Sequence, residues 1–245
     1  MTSSDLVPVL EGNIAKRTLQ FFWLADCSGS MKGKKISTLN QAVREALPEI
    51  KEAVSAHPEV QIEMRAIAFS NEAAWHVGPE PVALEDFVWP DLEAGGITGT
   101  AQAIELLSEE LSVDKMNRRG YPPVCILLSD GYCTDDESRF ESAIQTLNEM
   151  PWGRKAVRLA IGIGQEHQYN EQELLKFVSH EEIGVLKADS PEKLTSYIQW
   201  ASVAASVGAS VGKSRMSKDD EHNVALPPPP SEVTLVEDAD EDDVF

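Results

Sequence analysis

The sequence predicts an α/β fold: a doubly wound, mostly parallel central sheet, flanked by helices on both faces, with one antiparallel edge strand. Three observations carry this expectation. Short, almost wholly apolar runs recur at Leu19–Ala25, Val124–Leu128 and Ala156–Ile163, as expected of strands buried on both faces. Segments with apolar residues at helical spacing lie between them. Strands alternating with helices build parallel sheets covered on both sides.

The elements follow in order. After the Leu19–Ala25 strand, Ile36, Leu39, Val43, Leu47, Ile50 and Val54 mark one face of a helix, with Pro48 expected to kink it. Val60–Phe69 alternates and then becomes apolar, a second strand, and Ala73–Val77 can pair with it as a hairpin. Residues 78–97 hold Pro79, Pro81, Pro90 and Gly95-Gly96 and read as irregular. A helix follows from about Ala101, with Ile104, Leu107 and Leu111 on one face. After the Val124–Leu128 strand, Thr134 and Glu137 have capping-box spacing before a helix marked by Phe140, Ile144, Leu147 and Met150. Ala156–Ile163 is the next strand, Asn170 with Glu173 caps another helix, and Gly184–Lys187 is a brief strand. Ser190-Pro191 opens the last helix, with proline in its first turn.

The chain has 245 residues, a formal charge of −20 and a pI near 4.6. That balance excludes nucleic acid and anionic membrane surfaces as partners, since both call for basic patches. Three cysteines, Cys27, Cys125 and Cys133, form neither a disulfide framework nor a zinc pattern. Residues 1–20 carry Asp5, Glu11, Lys16 and Arg17 and no apolar run, so no signal peptide or membrane span is expected, and the cytoplasm is the expected location. The expected organisation is an N-terminal lead over 1–17, a folded domain over 18–206 and a disordered, Pro-rich and acidic tail over 207–245.

The first strand runs into Asp26-Cys27-Ser28-Gly29-Ser30. Alternate residues of an extended segment point the same way. One carboxylate and two hydroxyls therefore converge, a set suited to a hard cation. A glycine-rich loop, Gly95-Gly96-Ile97-Thr98-Gly99-Thr100, enters a helix, and Ser129-Asp130-Gly131 puts a second carboxylate at a strand end. Ligands of such sheets bind beyond the carboxyl ends of strands.

Over about residues 18–205 this set resembles the von Willebrand factor A domain with its metal-ion-dependent adhesion site (MIDAS). The family pattern, Asp-x-Ser-x-Ser, then a threonine, then an aspartate, falls on Asp26, Ser28, Ser30, Thr98 and Asp130. Alignment on Ile104 favours Thr98, with Thr100 the alternative. The resemblance implies that the serines, and in ligand-bound states the threonine, touch Mg²⁺ directly (Mn²⁺ as a substitute), while the aspartates hold it through water. A Glu or Asp from a protein partner then completes the shell. Within the family, Asp26–Met31, Gly95-Gly96 before Thr98, and Lys187–Pro191 are most similar to the TerY-like bacterial group. That implies a tellurium-resistance or stress-response setting, with a Ser/Thr kinase and a metal-dependent phosphatase as associated proteins. Ile97 departs from the Gly-Gly-Thr start common in that loop.

Catalysis is not expected. Asp26 resembles the start of haloacid-dehalogenase-type phosphotransferases, but their second acid is replaced by Ser28. Gly29–Lys35 lacks phosphate-loop spacing and has Lys35 where Ser or Thr should stand. The five histidines show no ligand spacing, Cys27 and Cys133 read as packing residues, and Trp75 and Trp89 as core or edge packing. Arg118-Arg119 reads as a solvated turn. Thr234, among the acids of the tail, is a candidate phosphoacceptor. The expected function is metal-dependent protein binding; the alternative is a scaffold with a vestigial metal site acting through its acidic tail.

Overall fold

The computed structural model describes residues 16–165, 168–211 and 224–230. Six strands form one sheet: β1 (Arg17–Asp26), β2 (Val60–Phe69), β3 (Ala73–Ala83), β4 (Val124–Ser129), β5 (Val157–Ile163) and β6 (Val185–Ala188). The helices are α1 (Lys34–Ser55), α2 (Thr100–Glu110), α3 (Glu137–Glu149), α4 (Pro151–Lys155), α5 (Glu171–Phe177) and α6 (Pro191–Val211), with a 3₁₀ turn at Gly29–Met31. Strand order is β3-β2-β1-β4-β5-β6. Every pair is parallel except β2–β3 at the edge. This is the expected doubly wound sheet.

The central strand shows why the apolar runs are nearly continuous. Leu19, Phe21 and Trp23 pack in one layer with Leu39 and Val43 of α1 and Leu194 and Ile198 of α6. Phe22 and Leu24 pack in the opposite layer with Ile104 of α2, Leu147 of α3 and Phe177 of α5. Both parities of β1 are therefore apolar, and period two disappears from its sequence. Consecutive crossovers go opposite ways from β1, to β2 on one side and β4 on the other. The strand order therefore reverses between β1 and β4, where doubly wound sheets open a crevice at their carboxyl edge. Asp26 ends β1 and Asp130 follows β4.

Several details differ from the sequence expectation. β3 runs on to Ala83, through Pro79 and Pro81, because an edge strand tolerates residues that donate no ladder bond. Asp136, not Thr134, caps α3, accepting from Ser138 N. Thr134 is engaged elsewhere, at Thr98. The short α4 starts on Pro151, and α1 continues unbroken through Pro48. Trp89 is buried, donates to Asn40 Oδ1 at 3.0 Å and meets Trp23 edge to face at 6.5 Å.

The expected domain end at residue 206 falls inside α6, which continues to Val211. Val224–Pro230 lies against the domain: Val224 is buried and its carbonyl accepts from His180 Nε2 at 2.9 Å. Thr234 and the acidic run after Ser231 lie outside the described residues. Among the described residues, no helix is long and apolar enough to cross a membrane.

Candidate metal centre

Asp26 is fully buried at the end of β1. Its Oδ1 accepts from Ser28 N at 2.8 Å, which bends the loop back over the carboxylate. Its Oδ2 accepts from Ser129 Oγ at 2.6 Å. Ser28 and Ser30 hydroxyls lie 3.0 Å apart, Ser28 buried and Ser30 exposed. The three residues of the first loop thus present their oxygens together, although Ser30 lies in the 3₁₀ turn and not in extended chain.

The second loop is tied to the first by backbone. Gly29 N donates to Gly96 O at 3.0 Å, and Gly95 N to Cys27 O at 2.8 Å. A Cβ on Gly29 would meet Gly96 O at 2.9 Å, so glycine permits this approach. Thr98 is held from both sides by Thr134, whose Oγ1 accepts from Thr98 N at 3.0 Å and whose N donates to Thr98 O at 3.0 Å. The Thr98 hydroxyl itself has no hydrogen bond among the described residues. Thr100 opens α2, and its hydroxyl is buried beside the Cys133 thiol.

Asp130 is also fully buried. Its backbone carbonyl accepts from Asn170 N at 2.8 Å, and its Oδ2 lies 3.3 Å from Lys35 Nζ. Lys35 sits in the first turn of α1, with its side chain 13% exposed. Burial pushes the Asp26 carboxyl up to about 6; Ser129 and Ser28 oppose this by hydrogen bonding, and the Asp130 charge adds to it. The centre thus holds two buried carboxylates and one partly buried ammonium.

The structure therefore brings together Asp26, Ser28, Ser30, Asp130 and the Thr98 loop at the β1/β4 crevice. It adds three residues that sequence reasoning did not assign to the site. Ser129 orients Asp26 and accepts from Gly131 N at 2.8 Å; its signal was a lone hydroxyl ending an apolar strand. Thr134 fixes Thr98, and Lys35 balances Asp130. No local signal marks the last two, because their partners lie 36 and 95 residues away.

The donor set fits a hard divalent cation. It offers hydroxyl and carboxylate oxygens only, around two buried carboxylates of which Asp130 pairs with the Lys35 ammonium. Among the described residues, no group of three or more His, Cys, Asp or Glu could hold a metal.

Comparison with known proteins bears on the family and the fold. The von Willebrand factor type A domain profile matches residues 22–199. The fold is similar to a von Willebrand factor type A protein from Catenulispora acidiphila, at TM-score 0.59 and 17% identity over 78% of this chain and 43% of that one. It is also similar to the ArnB paralog VWA2 from Sulfolobus acidocaldarius, at TM-score 0.55 and 18% identity over 76% and 45%. A third is proximal thread matrix protein 1 from the mussel byssus with a zinc-occupied MIDAS motif, at TM-score 0.53 and 18% identity over 78% and 46%. The chain thus spans less than half the length of each of these structures. A search of curated proteins finds no match.

Proposed function

The chain belongs to the von Willebrand factor type A domain family, and from that premise we propose that it is a metal-dependent protein-binding module. Asp26, Ser28, Ser30, Thr98 and Asp130 would hold Mg²⁺, or Mn²⁺ in its place. The observation that carries this reading is the pair of fully buried aspartates at the ends of β1 and β4, beside hydroxyls from two loops. Buried carboxylates are costly unless something compensates their charge. When bound, the metal supplies a positive centre that accepts a further oxygen ligand, suited to a Glu or Asp side chain of a partner.

Each residue has a task at this site. Ser129 and the Ser28 amide fix the Asp26 carboxylate. Thr134 fixes the backbone of Thr98 and leaves its hydroxyl available, which favours Thr98 over Thr100. The zinc-occupied motif of the mussel protein supports metal occupancy in this fold. Domains of this family are generally interaction modules, which supports binding over catalysis. The setting we propose is a bacterial stress-response or phosphosignalling assembly, with a Ser/Thr kinase and a metal-dependent phosphatase as candidate partners. Its support is the TerY-like resemblance of Asp26–Met31, Gly95-Gly96 and Lys187–Pro191.

The test is quantitative capture of partners from the native host by the immobilised full chain. Mg²⁺-dependent partners should fall at least tenfold in EDTA and in Asp26→Ala, and should persist when residues 231–245 are removed. Equal capture with and without metal would remove the mechanism. Capture lost only on tail removal would favour an acidic-tail scaffold.

A further inference from the structure

Arg158 is the second residue of β5, at the edge of the sheet opposite the aspartates. Its side chain is buried in the layer of α3 and α5, with the residue 4% exposed. Nη2 donates to Asn148 Oδ1 at 2.7 Å, and the guanidinium carbon lies 5.9 Å from the Phe177 ring centre. Nε and Nη1 are buried with no hydrogen-bond partner. No carboxylate pairs with Arg158 among the described residues.

Arginine stays protonated in proteins. Burial lowers the pKa of Arg158 from the ordinary arginine value, in keeping with an uncompensated charge. Leaving such a group unpaired costs far more than a lost neutral hydrogen bond. Arg65 shows the ordinary solution at similar burial, 6% exposed: it donates to Glu110 Oε2, and to Gln20 Oε1 at 2.8 Å.

Arg158 lines a cavity of about 570 Å³ together with Arg154, Lys176 and Ser179, and with Glu181 and Glu182 also on its wall. Three basic residues from α4, β5 and α5 thus line one space large enough for a small ligand, Lys176 also pairing with Glu141 at 3.3 Å. We propose that this cavity binds a small oxyanion of the phosphate class, with Arg158 as its buried anchor. The missing counter-charge of Arg158 is then supplied by the ligand. This site is at the opposite edge of the sheet from the metal centre and does not rest on it.

Inorganic phosphate is the probe, titrated into the full chain at constant ionic strength and followed by calorimetry and thermal unfolding. One phosphate should bind per chain. At ten times the dissociation constant the unfolding midpoint should rise by about 3–6 °C. Arg158→Met should weaken binding at least tenfold and remove the rise. In anion-free buffer it should unfold no lower than wild type, since no paired charge is lost. Absence of saturable phosphate binding in wild type, which needs no variant, would overturn the proposal, as would unchanged binding in Arg158→Met.

The chain's own acids give a second arm. Asp219, Asp220 and Glu221 lie outside the described residues but precede Val224, which is bonded to His180 beside Ser179. A variant with D219N, D220N and E221Q should bind phosphate as wild type does. Phosphate binding that appears only in that variant would show an internal carboxylate in the site, and would also overturn the proposal.

Discussion

Asp26→Asn is expected to stabilise the metal-free protein at neutral pH while removing its metal binding. The Asp26 carboxyl titrates near 6 in the folded chain against 3.8 for the ordinary group, mainly because burial disfavours its charge. The folded state therefore binds the proton more tightly than the unfolded state. Below about pH 3.8 both states are protonated and the charge costs nothing. As pH rises to about 6, the unfolded chain releases its proton first, and stability falls. Above pH 6 the accumulated loss is on the order of 3 kcal/mol. Asparagine removes this slope. The Ser28 amide still has an oxygen to donate to, and Ser129 Oγ can accept from the new amide.

The gain is offset in part by that rearrangement, so a rise in the unfolding midpoint of a few degrees is expected at pH 7.5 and none near pH 4. Thermal unfolding in EDTA across pH 4–8 measures it. The same linkage acts on the metal. Binding needs the ionised carboxylate, so affinity for Mg²⁺ should fall by about tenfold per pH unit below pH 6. A variant that unfolds several degrees below wild type in EDTA at pH 7.5 would show that Asp26 is a structural anchor instead.

Lys35→Met is expected to tighten metal binding. The ammonium lies 3.3 Å from Asp130 Oδ2 in a mostly enclosed position. A divalent cation at the aspartates and an ammonium at the same carboxylate repel each other. At 4 Å two unit charges interact with about 4 kcal/mol at an effective dielectric of 20, and movement of the flexible lysine relieves most of it. A gain in Mg²⁺ affinity of about tenfold is the expected remainder. The metal-free variant should lose about 1–3 kcal/mol of stability, because Asp130 is left buried without its counter-charge. Calorimetric titration and unfolding in EDTA give both numbers. Unchanged affinity would mean that the lysine leaves the site without cost and does not tune it.

What was legible in the sequence follows from locality. The strands that bear Asp26 and Asp130 are buried on both faces, so their apolar runs and polar ends stand out without any partner in view. Asp-x-Ser-x-Ser is a local pattern, and its residues stand close together on one loop. Features set by distant partners were not legible. Thr134 has capping spacing toward Glu137, yet its hydroxyl is taken by Thr98, and Asp136 supplies the cap. Prolines 79 and 81 read as breaks, but an edge position leaves their missing donors unneeded. In the sequence Lys35 stands out only as the residue that breaks a phosphate-loop pattern, and the fold places Asp130 beside it. Arg158 stands in a strand-like run, and only packing reveals that its charge has no carboxylate partner.

Asp26, Ser28, Ser30, Thr98 and Asp130 are proposed to form one divalent-cation site. Its most direct test is titration of the full chain with Mn²⁺, followed by electron paramagnetic resonance at pH 7.5. The expected result is one Mn²⁺ per chain, displaced by Mg²⁺, with affinity at least a hundredfold lower in Asp26→Asn and in Asp130→Asn. A wild-type chain without stoichiometric Mn²⁺, or an Asp26→Asn variant that binds it unchanged, would contradict the assignment.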